Sequence, residues 1–327
     1  MTRTRRKTRF AAASPDTIAA AAVTLRAGGL VAMPTETVYG LAADAASDAA
    51  VAAIYEAKGR PAFNPLIAHV LDLASARREA EFPPQAERLV RAFWPGPLTL
   101  VVPVARSCRV SLLARAGLDT VALRSPSDET ARALIAEAGR PLAAPSANRS
   151  GHVSPTTAEH VLADLGGRID WIIDGGPCWH GLESTIVACL GDEIALLRPG
   201  AIAREAIEAV LGEPLLTHQP HGPAPTAPGQ LESHYAPRAH LRLAASEVAG
   251  GEAALDFAGA LGQGGPQAYL DLSPSGDLAE AAANLFSHLR ALDASGARRI
   301  AVAPVPDRGL GAAINDRLRR AAAPREA

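Results

Sequence analysis

Short apolar runs alternate along this chain with longer stretches whose apolar residues recur at helical spacing, and Gly, Pro, Ser or Asp marks most of the changes. Ser14-Pro15-Asp16 offers a helix cap followed by a first-turn proline, an Ala-rich stretch carries the helix, and Gly28-Gly29 ends it. LVAMPTE (30–36) then reads as a strand. Ser47 caps a second helix running to about Lys58, Gly59 stops it, and LIAHV (66–70) is a short apolar strand. Further strands are expected at LTLVVPV (98–104), TVALR (120–124), LAAPS (142–146), WII (171–173), STIVACL (184–190) and EIALL (193–197). Helices are expected near 84–93, 127–138, 155–165 and 203–211. So many short strands interleaved with helices predict an α/β fold with a large mixed sheet covered by helices.

That regularity breaks after residue 213. Pro220, Pro223, Pro225 and Pro228, with Gly222 and Gly229, exclude helix or sheet interior, so 214–238 reads as a linker. His234 and Tyr235 stand inside it, a pair that a plain polar tether does not need. Beyond it, AHLRL (239–243), ALDFA (254–258), QAYLDL (267–272) and RIAVAP (299–304) read as strands, with helices near 277–292 and 308–321. A small second α/β domain over 239–327 follows. GQGGP (262–266) lacks the strand-turn-helix context of a dinucleotide fingerprint and reads as a loop.

A length of 327 residues fits two domains, 14–213 and 239–327, each with enough apolar content for a core. The basic start, residues 1–13, reads as a solvated tail, with targeting or RNA contact as the other uses of such a segment. Asp16 and Arg26 interrupt the apolar stretch behind it, which excludes a signal peptide and a membrane span, so a cytoplasmic protein is expected. A formal charge of −2, with 32 basic and 34 acidic residues, creates no field that recruits nucleic acid or anionic membrane by itself. Cys108, Cys178 and Cys189 are odd in number and form no C-x-x-C, as suits reduced structural thiols. Cys178 with His180 is too small a set for a metal.

Chemistry-bearing residues collect where elements end. Strand alternation would put Thr35 and Thr37 on one face and Glu36 on the other, giving two hydroxyls for a small polar ligand, although threonine also suits strands for packing alone. Lys58, Arg60 and Asn64 cluster where a helix meets a Pro-punctuated loop, which fits a phosphate or carboxylate site and equally a helix C-terminus. His69 in its apolar strand reads as a core histidine. Arg124 shares a strand face with Thr120 and either points into a cleft or forms a structural ion pair. PLAAPSANRSGHVSP holds Ala144, Ser146 and Ser154 in a small-residue loop able to approach a ligand closely. Ser154-Pro155 also has the form of a helix cap, which is itself an anion site. Ser184 and Arg198 lie at strand boundaries. No P-loop, G-x-S-x-G elbow or kinase motif set occurs, so the candidates bind and orient anions rather than attack substrates.

In this order PTETVYGL, KGRPAFNPLIAHV, WPGPLTLV, VALRSP, APSANRSGHVSPT, GLESTIV and LLRPG resemble the YrdC-type threonylcarbamoyl-AMP synthase family, long form. NLFSHLRALD and PDRGLGAAINDRLRR resemble its C-terminal domain. The resemblance implies a large twisted mixed sheet plus a smaller Rossmann-like α/β domain, joined by a linker that acts as a lid. It implies that L-threonine, bicarbonate and ATP give threonylcarbamoyl-AMP and pyrophosphate, feeding threonylcarbamoyladenosine modification of tRNA through a tRNA threonylcarbamoyl transferase. By motif position Thr37, His69, Arg124, Ser184 and the backbone of Ala144 would hold threonine. Arg60, Asn64, Thr120, Ser146, Ser154, Arg198 and Tyr235 would hold ATP. Lys58 and Arg60 would add charge near the phosphates, with no covalent nucleophile, and Mg2+ would travel with ATP rather than in a protein cage. Glu232 and Ser233 replace basic residues common before His-Tyr in such sequences, which removes an expected phosphate contact. An RNA-binding module and a carbamoyl-transfer domain with another acceptor are the competing readings.

Overall fold

The computed structural model describes residues 7–61, 64–191, 193–217, 235–262 and 265–324. Most of the linker, 218–234 with His234, lies outside the described residues, as do 1–6 of the basic tail.

In chain order the first domain runs β1 (Arg9–Ala12), α1 (Pro15–Arg26), β2 (Val31–Met33), β3 (Gly40–Asp44), α2 (Asp48–Lys58) and β4 (Ile67–His69). It continues with α3 (Leu73–Ala76), α4 (Pro84–Phe93), β5 (Leu98–Pro103), β6 (Thr120–Arg124), α5 (Glu129–Ala138) and β7 (Leu142–Ala143). Then come α6 (Ala158–Leu165), β8 (Trp171–Asp174), β9 (Thr185–Leu190), β10 (Glu193–Arg198), α7 (Arg204–Leu211) and β11 (Leu216–Thr217). Cap chemistry sets the early helices as expected: the Ser14 hydroxyl accepts from the Thr17 amide at 3.1 Å, Ser47 caps α2, and Gly59 closes it in the left-handed region.

The strands form one mixed eleven-stranded sheet, ordered β1-β8-β2-β3-β7-β4-β6-β5-β9-β10-β11. The structure departs from the sequence reading in several places, one of them Leu216–Thr217, which pairs with β10 inside the expected linker. Arg9–Ala12, expected in the basic tail, pairs parallel with Trp171–Asp174 as an edge strand. Pro34 ends β2, so Thr35, Glu36 and Thr37 lie in a turn: the Thr35 hydroxyl accepts from the amides of Thr37 and Val38 at 3.1 and 3.2 Å. Ser154 does not cap α6; Thr157 does.

Beyond the linker, β12 (His240–Arg242), β13 (Ala253–Asp256), β14 (Tyr269–Asp271), α8 (Leu278–Ala294), β15 (Arg299–Val302) and α9 (Leu310–Ala322) build a parallel four-stranded sheet, β12-β15-β13-β14. Its hydrophobic core is shared with the first domain, because Val38, Val153 and Leu182 are buried in the same cluster. Gly181, at φ +65, permits this approach: a Cβ there would come within 2.6 Å of the α8 backbone at Ala282 and Ala283.

Candidate active site

Along the edge formed by the ends of the large sheet's central strands, the polar residues gather. β4 and β6 run parallel with His69 in register with Arg124, so both strands end side by side. Between β9 and β10, which are antiparallel, Ser184 and Arg198 arrive at the same edge. Gly200 lets the chain fold back over them, since a Cβ there would meet the Glu183 carbonyl oxygen at 2.4 Å. A cavity opens at this edge, lined by Thr37, Arg60, His69, Arg124, Ala144, Ser146, Ser184, Arg198 and Tyr235 of the expected residues, and also by Glu183.

Arg124 takes both roles left open for it. Its guanidinium lines the cavity, and Nη2 lies 2.7 Å from Glu36 Oε1 in a buried ion pair. Despite that distance, Nη2 and both Glu36 oxygens have no hydrogen-bond partner among the described residues. Burial pushes the Glu36 carboxyl up, but the Arg124 charge and contact together hold it below the usual value. His69, pushed down to about 3 chiefly by burial and then by the Arg124 charge, is neutral, and its Nδ1 is unpartnered.

Across the cavity Arg198 donates through Nη2 to the Ser184 carbonyl at 2.8 Å and to its hydroxyl at 3.2 Å. That hydroxyl is also 2.7 Å from Thr99 Oγ1, so Ser184 is oriented by two neighbours. Arg60 is buried; its Nη2 donates to the Pro65 carbonyl at 3.2 Å while Nε is unpartnered. Burial lowers its pKa to about 10. Tyr235, 1% exposed at φ 64, stacks on Phe286 of α8 with ring centres 5.4 Å apart.

Four expected site residues do not line the cavity. Lys58 turns inward and donates to the carbonyls of Ser146 and Asn148, each at 2.6 Å, so neither its own helix end nor an open phosphate site receives it. It holds the APSAN loop instead. Asn64 is fully buried with both amide atoms unpartnered, and its carbonyl receives Tyr55. Ser154 donates to Glu183 Oε1 at 2.6 Å. Thr120 begins β6, about 13 Å along the strand from Arg124. Sequence reasoning missed Glu36 and Glu183, each beside a residue it singled out, and Arg317 of α9, whose Nε donates to Glu183 Oε2 at 2.8 Å. An acid next to a singled-out threonine or serine was the available signal; Arg317 gave none.

Unpartnered buried polar atoms on Glu36, Arg60, Asn64, His69 and Arg124 therefore concentrate in one place, as expected where a polar ligand completes the hydrogen bonding. Three arginines, neutral imidazole and hydroxyls make an anion receptor, and the serine hydroxyl next to them has an arginine and a threonine rather than a base beside it.

This architecture defines an α/β protein of two packed domains with an arginine-lined cavity, and comparison with known proteins narrows the class. The family described as "Telomere recombination" matches residues 23–200, and the "Threonylcarbamoyl-AMP synthase, C-terminal domain" matches residues 202–323. The threonylcarbamoyl-AMP synthase of Bacillus subtilis is 41% identical over 93% of this chain and 92% of its own. That of Pyrococcus abyssi is 43% identical over 91% of each. A crystal structure of P. abyssi Sua5 complexed with L-threonine superposes with a TM-score of 0.87 at 39% identity, covering 96% of this chain and 97% of that one. The chain belongs to the Sua5/YrdC family, in its long two-domain form.

Proposed function

We propose that the protein is a threonylcarbamoyl-AMP synthase, joining L-threonine, bicarbonate and ATP and releasing pyrophosphate. The observation that carries this reading is the set of unpartnered buried groups on Arg60, His69 and Arg124 around a cavity whose wall, among the described residues, offers no activated nucleophile. Family membership and the relative crystallised with L-threonine support it.

The chemistry then asks mainly for alignment and charge neutralisation. Threonine's amine adds to bicarbonate with loss of water to give a carbamate; a carbamate oxygen attacks the α-phosphorus, and pyrophosphate leaves. Arg124 would receive the threonine carboxylate, its charge already moderated by Glu36, with His69, Thr37, Ser184 and the Ala144 backbone around the rest. Neutral His69 offers a hydrogen bond without adding positive charge. Arg60, Ser146, Arg198 and Tyr235 would take the nucleotide, with Asn64 and Ser154 directly behind that wall and Lys58 fixing the Ser146 loop. Thr120 would reach only an outlying part of ATP.

Glu36 and Glu183 are both committed to arginines, and among the described residues no group of three or more His, Cys, Asp or Glu could hold a metal ion. The residues present do not fit a protein-held cation, so magnesium belongs to the nucleotide substrate. The linker that carries Tyr235 would close over bound ATP, with the second domain as its anchor. No helix among the described residues is long and apolar enough to cross a membrane. A place in the cytoplasm, passing product to a tRNA threonylcarbamoyl transferase, completes the proposal.

Pyrophosphate release from ATP and bicarbonate, with and without threonine, tests it. Release should require threonine. Release that depends on another acceptor would favour a carbamoyl-transfer domain; no release, with salt-dependent tRNA binding, would favour an RNA-binding module.

A further inference from the structure

Arg317 belongs to the second domain, is completely buried behind the cavity wall, and is held by groups in and behind that wall. Nε donates to Glu183 Oε2 at 2.8 Å, Nη2 to the Pro199 carbonyl at 2.9 Å, and Nη1 to Asp316 at 2.6 Å. Its guanidinium carbon lies 5.3 Å from the centre of the Tyr235 ring, which Phe286 covers on its stacked side. Glu183, its partner, is the one carboxylate among the described residues that line the cavity, beside Arg60, Arg124 and Arg198. An unpaired carboxylate there would oppose the charge that those arginines bring to an anionic ligand.

We infer that Arg317 is a positioning residue for nucleotide use: by neutralising and aiming Glu183 and backing the Tyr235 ring, it completes from the second domain a cavity otherwise built by the first. This rests on the synthase reading. The second domain then does more than anchor a linker, because removing one of its side chains changes the electrostatics of the reacting pocket.

The groups facing Glu183 are Arg317 from α9, Arg198 from β10, Tyr235 and Ser154, while Asp316 of α9 faces Arg317 and Tyr235. Burial alone pushes the Glu183 carboxyl up; the charges of Arg317 and then Arg198, with the two hydrogen bonds, bring it down to about 2. Without Arg317, burial is opposed by less and the pKa rises. Above that raised value the carboxylate is negative and under-compensated; below it the group is neutral.

Calorimetric ATP binding and steady-state pyrophosphate release test this on the full chain with wild type, R317M and E183Q/R317M from about pH 6 to about pH 9. R317M should raise Kd and KM for ATP by about tenfold at the alkaline end, with KM for threonine changed by less than about threefold, and the deficit should shrink towards acid pH. E183Q/R317M should regain most of the lost ATP affinity and lose the added pH dependence. Equal losses for ATP and threonine, a deficit indifferent to pH, or a double variant as weak as R317M would overturn the inference. Where R317M does not fold, the double variant decides: binding more than about tenfold weaker than wild type counts against the role. Wild-type protein that binds ATP but releases no pyrophosphate would sink the synthase reading, while the binding measurements still judge Arg317.

Discussion

Two buried carboxylate–arginine pairs flank the cavity, and they are built opposite ways round. In Glu36–Arg124 the guanidinium lines the cavity and the carboxylate lies behind it; in Glu183–Arg317 the carboxylate lines the cavity and the guanidinium lies behind. The first pair is contained in one domain, and the second joins the two. The geometry also differs, for Arg317 is held by aligned hydrogen bonds on three nitrogens, whereas Arg124 Nη2 meets Glu36 without one. What a cavity presents to a ligand is thus set as much by the residue behind the wall as by the residue in it. A loosely held arginine suits a ligand that must replace part of its contact, and a fully held one suits support.

Breaking the first pair should have the largest effect. Arg124→Ala leaves Glu36 buried without its counter-charge, a loss of about 3–5 kcal/mol if the carboxylate stays ionised. Calorimetry should show threonine binding weaker by about a hundredfold and ATP binding changed by no more than about threefold, as expected for one charge-assisted contact. Equal losses would mean that Arg124 serves a different partner. Breaking the aromatic support of the second pair comes next. Tyr235→Ala removes a ring between Phe286 and Arg317, and thermal and denaturant unfolding should report a loss of about 3 kcal/mol. ATP affinity should drop about tenfold with it, and Tyr235→Phe separates the ring from the hydroxyl. Unchanged ATP binding in Tyr235→Ala would remove the linker from the nucleotide site.

Near neutral pH the effect of pH is the smallest, and it bears on both pairs because both sides of the cavity respond with the same sign. His69 has its folded pKa lowered from 6.5 to about 3, and Glu183 from 4.5 to about 2. The unfolded chain binds more protons in each window, so stability from His69 is complete above pH 6.5 and lost as pH falls towards about 3. Stability from Glu183 is complete above pH 4.5 and lost towards about 2. Denaturant midpoints should therefore hold steady from neutral to mildly alkaline pH and decline in acid, with His69→Gln declining less between pH 6.5 and about 3.

Features written in adjacent residues were legible in the sequence. Ser14, Ser47 and Gly59 fix helix ends through bonds spanning a few positions, and those helices begin and end where the sequence puts them. Nine expected site residues meet around one cavity. Features that depend on distant pairing were not legible. Nothing near His69 announces that it stands in register with Arg124, or that Arg317 will reach Glu183. Local rules also misled where two competed: the apolar run into Thr35 and Glu36 looked like strand, but Pro34 ended the ladder and the Thr35 hydroxyl took the next amides. Ser154-Pro155 had the form of a cap, yet Thr157 held that place and Ser154 turned to Glu183. Lys58 fitted a phosphate site or a helix C-terminus and is instead buried under two carbonyls. RFAA was lost in the basic start because the strand that receives it, Trp171–Asp174, comes far later in the chain.

Mass analysis of the nucleotide product formed from ATP, threonine and isotopically labelled bicarbonate tests the synthase reaction itself. The product should be an adduct that contains AMP, threonine and the labelled carbon, formed in step with pyrophosphate. Pyrophosphate release with an AMP–threonine adduct that lacks the label, or with AMP alone, would contradict it.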